Sequence, residues 1–307
     1  MLRTPRTKRD FLRLTDLSRE ELLELLRRAA EWKLLGKGGP RPLDRMTIGM
    51  IFEKASTRTR VSFEVAAYQL GGHAIMLTSK DTQLGRGEPI RDTARVLARY
   101  VDALVVRTFE HSKIDEIAHH ADVPVVNALT DASHPCQLLA DVLTVAERLG
   151  ADALTREDLE VAWIGDGNNM ANSWLEACCV LGFRLRLACP AGYDPDPALL
   201  ARAGRRARLV RTPREAAQGA HVLNTDVWAS MGQEAEAAER LKKFAGFIVD
   251  RALLAAADPK AIVLHCLPAH RGEEIADDVL EGPQSAVFDE AENRLHAQKA
   301  LLELLLG

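Results

Sequence analysis

The period of the hydrophobic pattern changes repeatedly along this chain, and each change marks an element. Residues 47–52 (Thr-Ile-Gly-Met-Ile-Phe) form a continuous apolar run of strand length that stops at Glu53. Further segments of strand length recur at 73–77, 103–107, 123–128, 160–164, 184–188, 209–210, 221–224, 262–265 and 286–288, most of them apolar. Between them, apolar residues return at helical spacing, which predicts helices over 61–70, 90–100, 114–120, 135–149, 169–181, 197–203, 213–217 and 293–306. Near the start, Ser18-Arg-Glu-Glu21 is a capping box opening a leucine-rich helix to about Leu35, with Gly36 just beyond its end. Unbroken apolar strands alternating with helices predict βαβ units and parallel sheets covered on both faces.

The alternation pauses at the long helix 135–149, closed by Gly150, and then begins again. At 307 residues the chain is about twice the usual length of one domain. The expected fold is therefore α/β, with two domains, each a mostly parallel sheet flanked by helices, joined by bridging helices. The boundaries expected are a first domain 1–134, a bridging helix 135–150, a second domain 151–290, and a C-terminal helix 291–307 packing back on the first. The two halves match in architecture without a detectable sequence repeat. Ligands of such folds bind at the carboxyl ends of the parallel strands.

Composition narrows the function classes. A formal net charge of -4 gives no support for a nucleic-acid or membrane-surface role. No apolar run approaches the ~20 residues needed to span a bilayer. The basic stretch 1–9 is not followed by the apolar segment of a secretory signal. Five cysteines without CxxC spacing predict free thiols in a reducing compartment, and cytoplasm is the expected location. Cys178 and Cys179, adjacent in a predicted helix, read as buried filler.

The first candidate for chemistry follows the strand 47–52. Ser56 and Thr57 stand where a helix begins, and Arg58, Thr59 and Arg60 come next. The first turn of a helix carries unpartnered N–H groups and the positive end of the macrodipole, so hydroxyls and guanidiniums there can grip a dianion. The alternative is a helix cap with solvated arginines.

Gly165-Asp-Gly-Asn-Asn-Met170 also joins a strand to a helix, where a dinucleotide could bind. That fingerprint needs a small residue where Met170 stands and an acid after the next strand, and neither is present. Asn168 and Asn169 remain as turn formers, helix caps or ligand contacts.

Three further segments end predicted strands or precede helices. Pro135 fits a first helical position, so His134 and Gln137 flank a helix start, as caps or as groups that polarise a carbonyl. Asp226, Ser230 and Gly232 could hold an amino acid's charged groups, or form a surface loop anchored by Trp228. His265-Cys266-Leu-Pro268-Ala-His270-Arg271 tempts a zinc reading through Cys266 and His270. Pro268 breaks the helix such a pair needs and no fourth ligand stands out, so no metal is expected. A thiol there, close to arginines, could instead be reactive.

Together these segments resemble the transcarbamylase family, most closely its ornithine branch, over nearly the whole chain from Phe11. Ser56-Thr-Arg-Thr-Arg60 and His134-Pro-Cys-Gln137 match carbamoyl-phosphate motifs shared by most of the family. Asp226 with Ser230-Met-Gly232, and His265-Cys-Leu-Pro268, match elements that mark the ornithine branch. Ala55, where many relatives have serine, and Arg86, where some have histidine, depart from the pattern.

The resemblance implies a carbamoyl-phosphate domain first and an ornithine domain second. It also implies a homotrimer or a multiple of trimers, with the loop 78–89 reaching a neighbouring subunit's site. Its implied reaction moves the carbamoyl group of carbamoyl phosphate to the side-chain amine of L-ornithine, giving citrulline and phosphate. Those small molecules are its only implied ligands, with no metal, nucleotide or other cofactor. By the same resemblance, Ser56, Thr57, Arg58, Thr59, Gln83 and Arg107 hold phosphate, and Arg60 is structural. Arg107, His134 and Thr59 polarise the carbonyl. Gln137, Arg294 and the backbone of Cys266 and Leu267 hold the rest of carbamoyl phosphate. Asn169, Asp226, Ser230 and Met231 fix ornithine, and Cys266 or Asp226 could accept the amine proton, as could the departing phosphate.

Overall fold

A computed structural model describes residues 8–78, 87–229 and 234–307. The chain divides into two compact units, 1–136 with 295–307, and 137–294. The divisions fall inside two helices, Pro135–Leu149 and Val287–Leu306.

The first unit carries four strands: β1 (Thr47–Phe52), β2 (His73–Thr78), β3 (Ala103–Arg107) and β4 (Val125–Leu129). They lie parallel in the order β2-β1-β3-β4. All five residues of β3 are buried, as expected of a central strand covered on both faces. Ile51, Leu104, Val106, Ile114, Ile117 and Val125 form part of one core against the helices Ile90–Leu97 and His111–His120. The capping box at Ser18 is present, and the helix it opens spans Arg19–Leu35. Glu303 receives Nε and Nη2 of Arg28, both at 2.7 Å, and the Trp32 indole N–H at 2.8 Å.

The second unit carries β5 (Glu160–Ile164), β6 (Arg184–Ala188), β7 (Ala207–Val210), β8 (Val222–Thr225) and β9 (Ile262–His265). These are also parallel, in the order β7-β6-β5-β8-β9. In each sheet the chain first builds outward on one side and then crosses to the other. That reversal lies between β1 and β3 in the first sheet and between β5 and β8 in the second. Diverging connections leave a crevice at such a point, where α/β folds bind ligands.

Several boundaries differ from expectation. The run 286–288 is no strand: Ser285 makes one isolated bridge to Val263, and Val287 already begins a helix. Three apolar residues are too few to hold a strand against the helix-forming sequence that follows, whose first turn carries Asp289 and Glu290 at its positive end. The helix expected over 114–120 starts earlier, at His111, and that over 90–100 ends at Leu97. The short helices Ala237–Lys243, Arg251–Leu254 and Asp277–Leu280 lack enough turns to show a period.

Candidate active site

In the first unit, the candidate groups surround the reversal between β1 and β3. Ser56 caps the helix Thr57–Gln69, its Oγ accepting the Thr59 N–H at 3.3 Å and donating to Thr59 Oγ1 at 2.9 Å. Thr57 and Arg58 are exposed on that first turn, whereas Thr59 is buried. Arg60 pairs with Glu64 one turn on at 2.9 Å, while Arg58 forms no ion pair among the described residues. Arg60 is thus paired within its own helix.

Arg107 ends β3 opposite Phe52, the last residue of β1, and is buried. Glu53 N donates to the Arg107 carbonyl at 2.8 Å, so the segment leading to Ser56 starts beside that arginine. His134 follows β4 through a tight turn in which Thr130 N donates to the Ser133 carbonyl at 2.9 Å. Ser133 N returns a bond to Thr130 Oγ1 at 3.2 Å, and His111 Nδ1 hydrogen-bonds the same hydroxyl at 2.8 Å. The hydroxyls, Arg107 and His134 thus sit on the loops that leave β1, β3 and β4 at their carboxyl ends. Gln83 and Arg86 lie outside the described residues.

In the second unit, the loops after β5, β8 and β9 meet. Thr225 pairs with Ile164 on one side and with His265 on the other, so Asp226 is flanked by the segments beginning at Gly165 and Cys266. Asp226 Oδ1 accepts Cys266 Sγ at 3.1 Å and the Val227 N–H at 2.8 Å. Its Oδ2 accepts Asn168 Nδ2 at 3.1 Å. Asn168 is also the N-cap of the helix Asn169–Leu181, its Oδ1 accepting the Met170 and Ala171 N–H groups. One asparagine thus caps the helix and orients the acid. Asn169, the expected ligand contact, is the first residue of that helix. Ser230 and Met231 lie outside the described residues.

The reactive-thiol reading of Cys266 does not hold. Its sulfur faces Asp226 rather than an arginine, and burial, Asp226, Glu290 and Asp141 together push the thiol well above its usual range. The residue as a whole is only partly buried, but the sulfur itself is desolvated. It keeps its proton at neutral pH and gives it to the carboxylate in a hydrogen bond, so it is no proton acceptor there.

The glycine turn after β5 has a packing cause. A Cβ on Gly167 would lie 2.2 Å from Pro195 N and 2.3 Å from the Asp194 carbonyl carbon. The passing backbone of 194–195, and not a pyrophosphate, demands glycine here, and Met170 is buried in the interior. Asp166 of the same turn accepts Arg240 Nη1 at 2.7 Å, and that nitrogen also donates to the Trp228 carbonyl at 2.9 Å. Burial raises Asp166 and outweighs the arginine that lowers it, while Asp166 and Glu236 raise Arg240 against its own burial. The contact geometry is that of an ion pair, which joins the loop after β5 to the loop after β8.

Cys266 and His270 do not form the metal pair considered from spacing. The side chains of Asp226, His265 and Cys266 converge instead, as do those of His270, Glu273 and Glu274. His265 Nδ1 accepts the Leu267 N–H at 2.9 Å and Nε2 faces Glu274 Oε1 at 3.1 Å, so both ring nitrogens are engaged. Glu274 Oε1 also accepts the His270 N–H at 2.6 Å. These bonds hold Leu267 at φ +58°, a conformation that costs a non-glycine residue about 1 kcal/mol or more. The buried His265–Glu274 pair is therefore a support for the Cys266–Leu267 backbone rather than a metal ligand set.

Gln137 and Arg294 stand together, Arg294 Nη1 donating to Gln137 Oε1 at 2.7 Å. Beneath them lie two carboxyl groups absent from the expected site, Asp141 and Glu290, both bonded to Gln137. Asp141 was detectable in principle, four residues after Gln137 on one helix face; Glu290 was hidden by the mistaken strand.

Comparison with known proteins identifies the family. Residues 9–147 match the aspartate/ornithine carbamoyltransferase carbamoyl-P binding domain, and residues 157–305 match the Asp/Orn binding domain of the same family. An ornithine carbamoyltransferase of Syntrophotalea carbinolica is 55% identical over 305 residues, covering 98% of this chain and all of the relative. An anabolic ornithine carbamoyltransferase of Pseudomonas aeruginosa is 55% identical over 300 residues, 97% of each chain. The solved structure of ornithine carbamoyltransferase from Pyrococcus furiosus superimposes with a TM-score of 0.93 at 48% identity, covering 99% of both chains. Two parallel sheets with polar groups gathered at their reversal points, matched over nearly the full length by these relatives, place the chain in the aspartate/ornithine carbamoyltransferase family.

Proposed function

We propose that this chain is an enzyme that transfers the carbamoyl group of carbamoyl phosphate to the side-chain amine of L-ornithine, giving L-citrulline and phosphate. The observation that carries the acceptor assignment is the Asn168–Asp226–Cys266 cluster, an oriented carboxylate suited to an α-ammonium group. The phosphate is received by the hydroxyls and N–H groups at Ser56, Thr57, Arg58 and Thr59, with Arg107 and Gln83. Arg107, His134 and Thr59 polarise the carbonyl and stabilise the oxyanion, the largest contribution in acyl transfers of this kind. Gln137, Arg294 and the Cys266–Leu267 backbone orient the carbamoyl amide, and Asn169, Asp226, Ser230 and Met231 hold ornithine.

The amine lone pair attacks the carbonyl carbon, and the tetrahedral intermediate collapses as its bond to the phosphate oxygen breaks. The amine must first be neutral. An alkylamine with a pKa of ~10.4 is mostly protonated at pH 7.5, which costs about 4 kcal/mol. Turnover therefore rises with pH. Because Cys266 retains its own proton, Asp226 and the departing phosphate are the remaining acceptors.

The Pseudomonas aeruginosa relative bears the name anabolic, which favours a place in arginine synthesis. The assembly is a homotrimer or a multiple of trimers, with Gln83 serving a neighbouring subunit. All five cysteines are free and no helix among the described residues is long and apolar enough to cross a membrane, which is consistent with a cytoplasmic setting. The deciding experiment is a citrulline assay with ornithine beside putrescine, aspartate and acetylornithine across pH. Ornithine should be preferred throughout; preference for another amine, or no carbamoylation, would sink the reading.

A further inference from the structure

A buried pair of carboxyl groups lies under Gln137 with no role in the reaction as described so far. Gln137 Nε2 has two hydrogens, and it donates to Asp141 Oδ1 at 2.8 Å and to Glu290 Oε1 at 2.7 Å. Its oxygen accepts from Arg294 at 2.7 Å. Turning the amide over would set its NH2 group against a guanidinium, which has only donors, and its oxygen against two carboxyls. The bonding pattern therefore fixes which way the amide points. Gln137 is 1% exposed, Arg294 4%, and Asp141 and Glu290 are fully buried.

The two carboxyl groups converge on that one amide nitrogen, close enough to interact, and a direct bond between them forms only when one carries a proton. Around them stand the Arg294 cation, the His265 backbone N–H donating to Glu290 Oε2 at 2.8 Å, and the Asp226 carboxylate and Cys266 thiol. Two unprotonated carboxylates beside one guanidinium would leave excess negative charge in a site without water to screen it. Burial pushes Asp141 up to about 7 and Glu290 well above its usual range; the Asp226 charge adds to the rise of Asp141, and Asp141 adds to that of Glu290.

We propose that Asp141 and Glu290 are a positioning pair that shares a proton and locks the Gln137 carboxamide with its oxygen toward Arg294. With both N–H bonds spent, Gln137 can only accept, so it recognises an N–H donor and rejects a ligand that presents an oxygen in that place. That the donor is the carbamoyl amide rests on the proposed reaction; the locked orientation does not.

The geometry predicts an asymmetry between amide variants. In D141N the new carbonyl oxygen still accepts from Gln137, and the new NH2 group replaces the shared proton by donating to Glu290. In E290Q neither orientation works, because both Glu290 oxygens already accept N–H bonds, from Gln137 and from His265. We expect D141N to keep its carbamoyl-phosphate KM within about threefold, and E290Q and D141L to raise it by about tenfold or more, the consequence of an unsatisfied buried donor. The KM for ornithine should stay within about threefold in all three. Infrared spectra should show a protonated carboxyl at pH 7 in the unmodified enzyme and none in D141N, a readout that survives if E290Q folds poorly. Equal impairment of D141N and D141L, or no protonated carboxyl in the unmodified enzyme, overturns the pair. An enzyme that makes no citrulline yet shows the band, lost in D141N, overturns the reaction while supporting the shared proton.

Discussion

Cys266 donates its thiol hydrogen to Asp226 across 3.1 Å, although 40 positions separate them in sequence. The contact arises because β8 and β9 are neighbours in register, with Thr225 opposite His265, so the residue after each strand faces the other. The acid gains an oriented partner and the thiol loses its reactivity.

That relationship predicts slow alkylation. Iodoacetamide at pH 8 should leave Cys266 largely unmodified by peptide mass mapping. Asp226→Asn removes the negative charge that helps keep the thiol protonated, and should accelerate labelling about tenfold. Rapid labelling of the unmodified enzyme at that pH would contradict the geometry.

The two sheets divide the substrates, so their variants should fail differently. Asp226→Ala should raise the ornithine KM about a hundredfold, the effect of about 3 kcal/mol from a lost charge-assisted contact. Calorimetry should find carbamoyl-phosphate binding changed by no more than about threefold. Arg107→Ala should reduce turnover about a thousandfold while circular dichroism and assembly mass stay unchanged. Near-normal citrulline production by that variant would remove Arg107 from the reaction.

Arg240 joins two loops through Asp166 and the Trp228 carbonyl while lying 5.0 Å over the Tyr193 ring. Arg240→Ala strands a buried acid and should cost about 3–5 kcal/mol in a urea titration. The ornithine KM should rise as well, because the loop from Asp226 to Trp228 loses its tie. A stability loss under about 1 kcal/mol would mean that the pair is solvated in solution.

Stability should also respond to pH through Asp141. Its folded-state value, about 7, lies above the ordinary aspartate value of 3.8, so the folded protein binds a proton that the unfolded chain has released. This contribution favours folding less and less as pH rises from about 4 to about 7, with a slope near 1.4 kcal/mol per pH unit. Urea midpoints at pH 5, 6 and 7 should therefore fall relative to those of D141N. A constant difference across that range would show that Asp141 ionises normally.

Much of the fold was legible because parallel strands buried on both faces leave an unbroken apolar run. β1, β3, β5 and β9 lie where that pattern puts them, as do the helices Pro135–Leu149 and Asn169–Leu181. Capping chemistry placed Ser18 and Ser56, since a cap is a bond between residues three apart. The same locality misled at 286–288, where three apolar residues resembled a strand but belong to the approach and first turn of a helix.

The sequence by itself determined which side chains stand at strand ends, helix starts and turns, because those depend on neighbours a few residues away. Strand order, register and helix packing decided the rest. They put Asn168 and Cys266 on either side of Asp226, and set Glu290 against Gln137 across 153 positions. They also made Cys266 a donor, Gln137 an acceptor and Gly167 a response to the passing backbone of 194–195. A side chain's proton and orientation answer to whatever charges and carbonyls surround it, and only the folded chain brings those together.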